Sequence, residues 1–127
     1  MHLIDIACAI TAHRHCRGAV VTAGMDNLVF KHPVKIGELM TIKASVNRAF
    51  RTSMECGAKV ISEDLETGKQ KHTSSAYLTF VALGEDGRPV EVPEVIPETD
   101  EEKRRWEAAE VRRMFRIKQK ALLKKTK

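Results

Sequence analysis

Long stretches in which apolar and polar residues alternate fill the middle of this 127-residue chain and constrain its fold more than any other feature. Every second side chain of a β-strand points to the same face of a sheet, so alternation predicts a strand with one apolar face. Residues 39–50, 52–63 and 70–83 alternate in this way, and residues 19–32 are β-branched and apolar without a helical period. The sequence therefore predicts four long strands.

Turn-forming residues separate the four predicted strands. Pro33 ends the first strand, because proline has no N–H to donate to a neighbouring strand. Residues 33–38 predict a turn, residues 50–51 a tight connection and residues 64–68 a hairpin loop. Within the first strand, Gly24 predicts a bulge or a point of close packing.

Residues 2–16 predict one buried helix ahead of the strands. Apolar residues recur there at the spacing of one helical face: Leu3, Ile6, Ala7 and Ile10. Three more residues extend the apolar surface to a neighbouring face: Ile4, Cys8 and Thr11. A helix that is apolar nearly all round is expected to lie in the core, and with the antiparallel strands it predicts an α+β fold.

Asp5 is the single acidic residue of this helix. The residues three, four and seven positions after it are small, which leaves room for a ligand beside its carboxylate. A catalytic acid and a structural acid that caps a nearby backbone or pairs with His2 or Arg14 are both consistent with this position.

Residues 98–127 predict a charged helix that follows an extended surface loop at residues 84–97. Thr99 and Glu102 match the capping box T-x-x-E, which opens a helix. This segment holds 11 basic and 6 acidic residues and accounts for the whole net charge of +5. Such a basic helix is expected to be a solvated face, to attract an anionic substrate or to dock on a neighbouring subunit.

The composition excludes several classes of protein. Hydrophobic residues make up 43% of the chain and charged residues 31%, which is typical of one soluble globular domain. No apolar run is long enough to predict a transmembrane span, and no basic region followed by a long apolar stretch predicts a signal peptide. Nucleic-acid binding is not expected, because aromatic residues make up only 5% and the basic charge is confined to the tail.

The cysteines and histidines predict neither a disulfide nor a metal site. Cys8, Cys16 and Cys56 are odd in number and lack C-x-x-C spacing, which indicates a reducing, cytoplasmic setting. The spacing of His13, His15 and Cys16 matches no standard metal site. A cysteine–histidine nucleophile is not expected either.

Five segments, in chain order, resemble a known family: IDIACAITAHRH, VVTAGMDNLVFKHPVKIGE, RTSMECGAKV, SAYLTFVALGEDGRPVEVP and PETDEEKRRWE. Together they resemble the hotdog-fold acyl-CoA thioesterases, in particular the brain acyl-CoA hydrolase family and its short bacterial relatives. The resemblance implies an antiparallel β-sheet wrapped around a central helix. It implies hydrolysis of acyl-CoA to a free fatty acid and CoA without a cofactor, since CoA is part of the substrate.

The resemblance also implies an organisation and an assembly. Residues 1–97 are expected to form the hotdog domain and residues 98–127 a charged C-terminal helix and basic tail. Attraction of the CoA phosphates is one reading of that tail, beside a solvated face and a subunit contact. The family has a first strand, an asparagine and a pair of glycines ahead of the helix, and we expect these upstream of Met1. The chain is then either truncated or lacks part of its active site. Subunits are expected to associate as a dimer or a trimer of dimers, with active sites at the dimer interface.

The resemblance assigns roles to individual residues. Asp5 matches the family's catalytic acid, and its implied role is that of a general base that takes a proton from the attacking water. Arg51, Thr52 and Ser53 match a segment near bound CoA, where an arginine and two hydroxyls suit phosphate or pantetheine contacts. Ordinary turn chemistry is the alternative reading of these three residues.

Thr22 and Asp26 lie on one face of the strand that the resemblance places at the dimer seam. For Asp26 we expect a hydrogen bond across the interface rather than direct catalysis. Two rival functions stay open. One is a hotdog module that binds acyl-CoA or CoA without catalysis, and the other is nucleic-acid binding by the basic tail.

Overall fold

A computed structural model of the chain describes residues 2–30 and 35–125, with side chains for residues 3–25 and 35–123. The described elements are α1 (His2–Cys16), β1 (Ala19–Phe30), β2 (Glu38–Ala49), β3 (Ser53–Asp64), β4 (Gln70–Leu83) and α2 (Asp100–Lys125). The predicted bounds of α1 and β4 agree residue for residue, and those of β2 and β3 agree within one residue. The predicted end of the first strand at Pro33 lies outside the described residues.

The four strands form one antiparallel sheet in the order β1-β4-β3-β2. Thr22 of β1 lies opposite Phe80 of β4, and Phe80 in turn lies opposite Met54 of β3. The register of β1 shifts between Thr22 and Gly24, which confirms the bulge predicted at Gly24. Within the described sheet, β1 and β2 are the two edge strands.

Helix α1 packs on one face of the sheet, which we call the inner face, and this contact forms the core. Ile4, Cys8 and Ala12 are the residues of α1 that it buries. The inner face supplies alternate residues of β3 and β4: Met54, Cys56, Ala58, Val60, Ala76, Leu78, Phe80 and Ala82. This alternation is the strand period that the sequence showed.

The predicted burial of α1 on all sides is wrong for three of its large apolar residues. Leu3, Ile6 and Ile10 are 55%, 40% and 55% exposed. The helix instead turns the stripe that contains Cys8 and Ala12 to the sheet, because small side chains let a helix approach closely and fill the space without voids. The predicted apolar face of α1 therefore points away from its own sheet.

Helix α2 packs on the opposite, outer face of the sheet through charged and aromatic side chains. Arg112 donates hydrogen bonds to both carboxylate oxygens of the fully buried Glu55, at 2.9 and 2.6 Å. Its guanidinium also lies 3.6 Å from the ring centroid of Tyr77. At the edge of the sheet, the Arg48 guanidinium lies 3.4 Å from the ring centroid of Trp106.

The start of α2 and the environment of its basic residues were also predicted from the sequence. The capping box is confirmed, because the amide of Glu102 donates to Thr99 Oγ1 at 3.0 Å and the amide of Thr99 donates to Glu102 Oε1. The expectation of a solvated basic face is wrong for Arg112 and Arg116, which bond to Glu55 and Thr79 of the sheet. The division into two domains at residue 97 stays a prediction.

Candidate active site

Asp5 and Thr22 form the contact at the centre of the candidate site. Thr22 Oγ1 donates a hydrogen bond to Asp5 Oδ1 at 3.3 Å. Asp5 is half-buried in the first turn of α1, where the positive end of the helix dipole favours a carboxylate. Thr22 reaches it from the inner face of β1, because it follows Val20 in the alternating set that packs against the core. The bond therefore joins the central helix to an edge strand.

The structural alternative for Asp5 was a backbone cap or an ion pair with His2 or Arg14. The side chain of His2 lies outside the described residues. Among the described side chains, Asp5 bonds to the Thr22 hydroxyl and makes no ion pair with Arg14. A hydroxyl neighbour leaves the negative charge of the carboxylate unneutralised, as a general base requires.

Two thiols lie behind Asp5 in the core. Burial, and secondarily the negative charge of Asp5, raises the pKa of Cys8 to about 11. Burial is also the main cause of a raised pKa for Cys56, to which nearby Cys8, Glu55 and Cys16 add. A cysteine attacks as a thiolate, so neither thiol is a suitable nucleophile at neutral pH.

Exposed apolar side chains share this region with the Asp5–Thr22 pair. Leu3 and Ile6 flank Asp5 along α1, and both are exposed. Met25 lies on the inner face of β1, opposite Leu78, and is also exposed. The carboxylate therefore stands beside an apolar surface that its own chain leaves uncovered, as the binding of an apolar acyl group or of a second subunit requires.

Arg51 and Thr52 lie in the tight connection from β2 to β3, as predicted, whereas Ser53 is the first residue of β3. Their backbone is well anchored, because the Arg51 and Thr52 carbonyls accept hydrogen bonds from the amides of Val92 and Ala82 at 2.9 and 3.0 Å. Ser53 is paired with Val81 of β4, which is paired in turn with Val21, the residue before Thr22 in β1. Two strand spacings separate Ser53 from Val21, a distance of about 10 Å. The structure thus brings these residues to the same end of the sheet as Thr22, without direct contact.

Three further expectations from the sequence concern Asp26, a metal site and a membrane-spanning helix. The side chain of Asp26 lies outside the described residues, so its role at a dimer seam stays a prediction. No group of three or more histidine, cysteine, aspartate or glutamate side chains in the described part of the chain is arranged to hold a metal ion. Within the same residues, neither helix has the length and apolar character of a membrane-spanning segment.

The pairing of Thr22 with Asp5 is the feature that the sequence analysis missed. From the sequence, Thr22 was expected at a dimer seam, and no partner within the chain was assigned to it. The strand period held part of the signal, because Thr22 shares its face with the apolar Val20. Which face of the strand meets the helix was not assigned from the sequence.

The fold and this site agree with comparisons to known proteins. Residues 1–69 match the family model described as Thioesterase superfamily. The chain belongs to the thioesterase superfamily. Solved thioesterase structures superpose on it closely, which confirms the hotdog fold and the α+β class implied by the resemblance.

Curated relatives match most of the chain. Protein VdlD of Helicobacter pylori is 39% identical over 118 residues, which are 93% of this chain and 67% of that protein. Acyl-coenzyme A thioesterase 11 of Mus musculus is 44% identical over 114 residues, 90% of this chain and 19% of that protein. The cytosolic acyl coenzyme A thioester hydrolase of Mus musculus is 35% identical over 109 residues, 84% of this chain and 29% of that protein.

Solved structures of thioesterases match nearly the whole chain. Acyl-CoA hydrolase of Bacillus cereus has a TM-score of 0.91 at 40% identity and covers 98% of this chain and 76% of its own. An apo-hexameric acyl-CoA thioesterase has the same TM-score at 41% identity, with 95% and 78% covered. Acyl-CoA hydrolase of Staphylococcus aureus, solved with butyryl coenzyme A and coenzyme A, has a TM-score of 0.91 at 37% identity, with 99% and 77% covered.

The Staphylococcus aureus enzyme has also been solved as variants in which a threonine, an asparagine or an aspartate is replaced by alanine. The aspartate and the threonine are 17 residues apart in that enzyme, the same separation as between Asp5 and Thr22.

Proposed function

We propose that this chain hydrolyses acyl-CoA thioesters to a free fatty acid and CoA, with Asp5 as the general base. The observation that carries the proposal is the hydrogen bond between Thr22 and Asp5 on a thioesterase fold. The matching separation of the aspartate and threonine altered in the Staphylococcus aureus acyl-CoA hydrolase supports it. The solved complex of that enzyme with butyryl coenzyme A supports acyl-CoA as the substrate class.

The proposed reaction is a direct hydrolysis. The Asp5 carboxylate takes a proton from water, and the water oxygen attacks the carbonyl carbon of the thioester. The carbon–sulfur bond then breaks, the electron pair leaves on sulfur, and the proton held by Asp5 returns to the CoA thiolate. No metal or organic cofactor takes part in the proposed reaction, because CoA belongs to the substrate.

Thr22 acts in this proposal as a positioning residue. Its hydroxyl donates a hydrogen bond to Asp5 Oδ1 and so fixes the plane of the carboxylate. Oδ2 is then the oxygen that faces the water. A carboxylate held in one orientation transfers a proton more effectively than one that rotates freely.

The turn at Arg51, Thr52 and Ser53 is proposed to contact the phosphates or the pantetheine arm of CoA. The exposed Arg51 side chain and the two hydroxyls support this role, since their backbone is held rigidly at the end of the sheet that carries Thr22. Guanidinium groups bind phosphates through charge-assisted hydrogen bonds.

Self-association as a dimer or a trimer of dimers is part of the proposal, as is a cytoplasmic location. The exposed apolar residues Leu3, Ile6 and Ile10 on α1 support a contact between subunits, and a similar thioesterase is hexameric. The cytosolic hydrolase of Mus musculus supports the location.

The test is release of free thiol from acyl-CoA by the parent chain and by Asp5→Asn. Replacing the base by an amide of the same size is expected to lower kcat by about 10²- to 10⁴-fold, the usual contribution of general base catalysis. Asp86→Asn, in an exposed loop, is the matched control and is expected to keep parental activity. Circular dichroism checks that both variants are folded.

Two outcomes contradict the proposal. Undiminished turnover by Asp5→Asn removes Asp5 from the mechanism. Binding of acyl-CoA by the parent chain in calorimetry, with no thiol release, indicates a binding module instead of an enzyme.

A further inference from the structure

A cavity of about 400 Å³ lies on the outer face of the sheet beside the first turns of α2. Its volume falls in the range of small-molecule sites. Basic groups line it, namely Lys43, Lys59, Arg105 and the ring of His72. Three hydroxyl groups line it as well, those of Ser45, Ser75 and Tyr77.

Two lysines lie side by side in this cavity. Lys43 of β2 is paired directly with Lys59 of β3 in the antiparallel register. Both are exposed, and both point to the outer face, since they alternate with core residues such as Ala58. Like charges at directly opposite positions of a sheet destabilise it, because their Cβ atoms are only about 5 Å apart. Among the described residues, no carboxylate forms an ion pair with either lysine.

The other charged groups of the cavity do not neutralise the positive charge of the two lysines. Arg105 Nη1 lies 3.8 Å from Glu101 Oε1, one helical turn away, so the acid that lines the cavity is already paired. His72 Nε2 contacts Ser75 Oγ at 2.6 Å, and Ser75 lies opposite Lys59 on β4. A hydroxyl therefore stands next to the lysine pair in the same row of the sheet.

We propose that this cavity binds the phosphate group of a small molecule. The two ammonium groups neutralise a phosphate dianion, whereas a carboxylate would need only one of them. The hydroxyls of Ser45, Ser75 and Tyr77 supply hydrogen bonds to the phosphate oxygens. The bound anion removes the repulsion between Lys43 and Lys59.

This site is separate from the Asp5–Thr22 pair of the same chain. That pair lies on the inner face at the β1 edge, whereas the lysines lie on the outer face of β2 and β3, towards the opposite edge. The phosphate therefore belongs either to a free phosphorylated compound or to a CoA molecule whose thioester lies in another subunit. The site does not depend on whether Asp5 catalyses hydrolysis.

The experiment is calorimetric titration of the full chain with inorganic phosphate. The double variant K43Q/K59Q keeps polar, unbranched side chains, one atom shorter than lysine, but removes both charges, and is expected to weaken phosphate binding at least about tenfold. K118Q/K120Q removes two exposed lysines of α2 outside the cavity and is the control for net charge, with affinity expected within about twofold of the parent. Equal weakening in both double variants, or no phosphate binding by the parent, overturns the proposal.

Thermal unfolding gives a second readout. Without phosphate, K43Q/K59Q is expected to melt at a higher temperature than the parent, because the repulsion is gone. Phosphate should raise the Tm of the parent and leave that of the variant unchanged. If light scattering shows that K43Q/K59Q alone changes the number of subunits, the lysines belong to a subunit contact and the proposal fails.

Competition distinguishes the two sources of phosphate. Displacement of bound phosphate by CoA, but not by dephospho-CoA, identifies the 3′-phosphate of CoA as the ligand group. Failure of both to displace it identifies a free phosphorylated compound. Either result supports a phosphate site at Lys43 and Lys59.

Discussion

The inner face of the sheet meets α1 through apolar side chains, whereas the outer face meets α2 through a buried ion pair. On the inner face, Met54, Leu78 and Phe80 are fully buried without a charged group among them. On the outer face, Glu55 is equally buried but ionically bonded to Arg112. The sheet thus binds α1 by apolar packing and α2 by a buried ion pair. Only the inner-face contact requires that no charged group be buried in it.

The difference follows from what each helix can offer. Helix α1 carries Cys8 and Ala12, which are small and apolar and fit closely against the apolar inner face. Helix α2 carries long basic side chains, and that of Arg112 extends from the helix to the Glu55 carboxylate and the Tyr77 ring of the sheet. A buried charge requires such a partner, because an unpaired ion in the interior is very costly.

The largest expected effect is on the inner face. Phe80→Ala is expected to lower the free energy of unfolding by about 3–5 kcal/mol, because it removes a fully buried ring and leaves a cavity. Phe115→Ala is the matched control on α2, where the ring is 62% exposed, and should change stability by less than about 0.5 kcal/mol. Urea unfolding measures both. Similar losses of unfolding free energy in the two variants would mean that Phe80 is no more important to the core than an exposed ring of α2.

The inner face was also the part of the fold that the sequence predicted best. Alternation in β3 and β4 identified the buried residues, because a strand has one period and one apolar set. The same reasoning failed for α1, whose apolar residues form two neighbouring stripes of equal helical period. Which stripe contacts the sheet depends on packing, and the stripe of Cys8 and Ala12 was favoured by its size.

The outer face could not be predicted in this way. Glu55 reads as an ordinary solvent-facing residue of a strand, since its partner Arg112 lies 57 residues later. Asp5, in contrast, was identified from the sequence because it is the one acid of an apolar helix. Its contact with Thr22 depends on the register of β1 against β4, which local patterns do not determine.

A somewhat smaller effect is expected on the outer face. Arg112→Ala is expected to lower the free energy of unfolding by about 2–3 kcal/mol, because it leaves Glu55 buried and unpaired. The loss is reduced from the value for a fully buried pair, since the Arg112 side chain is 20% exposed. Arg104→Ala, at an exposed position of α2, is the control and should be nearly neutral.

The double variant Glu55→Gln with Arg112→Ala sharpens this prediction. Removing the buried charge together with its partner should recover part of the stability that Arg112→Ala loses, as measured by urea unfolding of all four chains of the cycle. If the double variant is less stable than Arg112→Ala, the cost does not come from an unpaired carboxylate, and the outer face is held mainly by packing.

The smallest expected effect concerns the dependence of stability on pH. The pKa of Cys8 is raised from its ordinary value of 9.0 to about 11, chiefly by burial and then by Asp5. The unfolded chain therefore loses the Cys8 proton at a lower pH than the folded chain, so stability is full below pH 9 and falls as pH rises towards 11. At a pH midway between the two values, Cys8 alone should cost about 1.4 kcal/mol.

Cys8→Ala is expected to remove this part of the alkaline loss, while Thr11→Ala on the same helix should keep it. Urea unfolding at neutral pH and at the pH midway between the two pKa values of Cys8 gives the fall in unfolding free energy for each chain. Comparing these falls between chains cancels the direct effect of each substitution on packing. Cys56 contributes to the alkaline loss in all three chains, and less in Cys8→Ala, because burial is the main cause of its raised pKa and Cys8 a secondary one. An identical loss in the parent and in Cys8→Ala would mean that the inner face admits a charged thiolate, and the contrast with the ion-paired outer face would no longer hold.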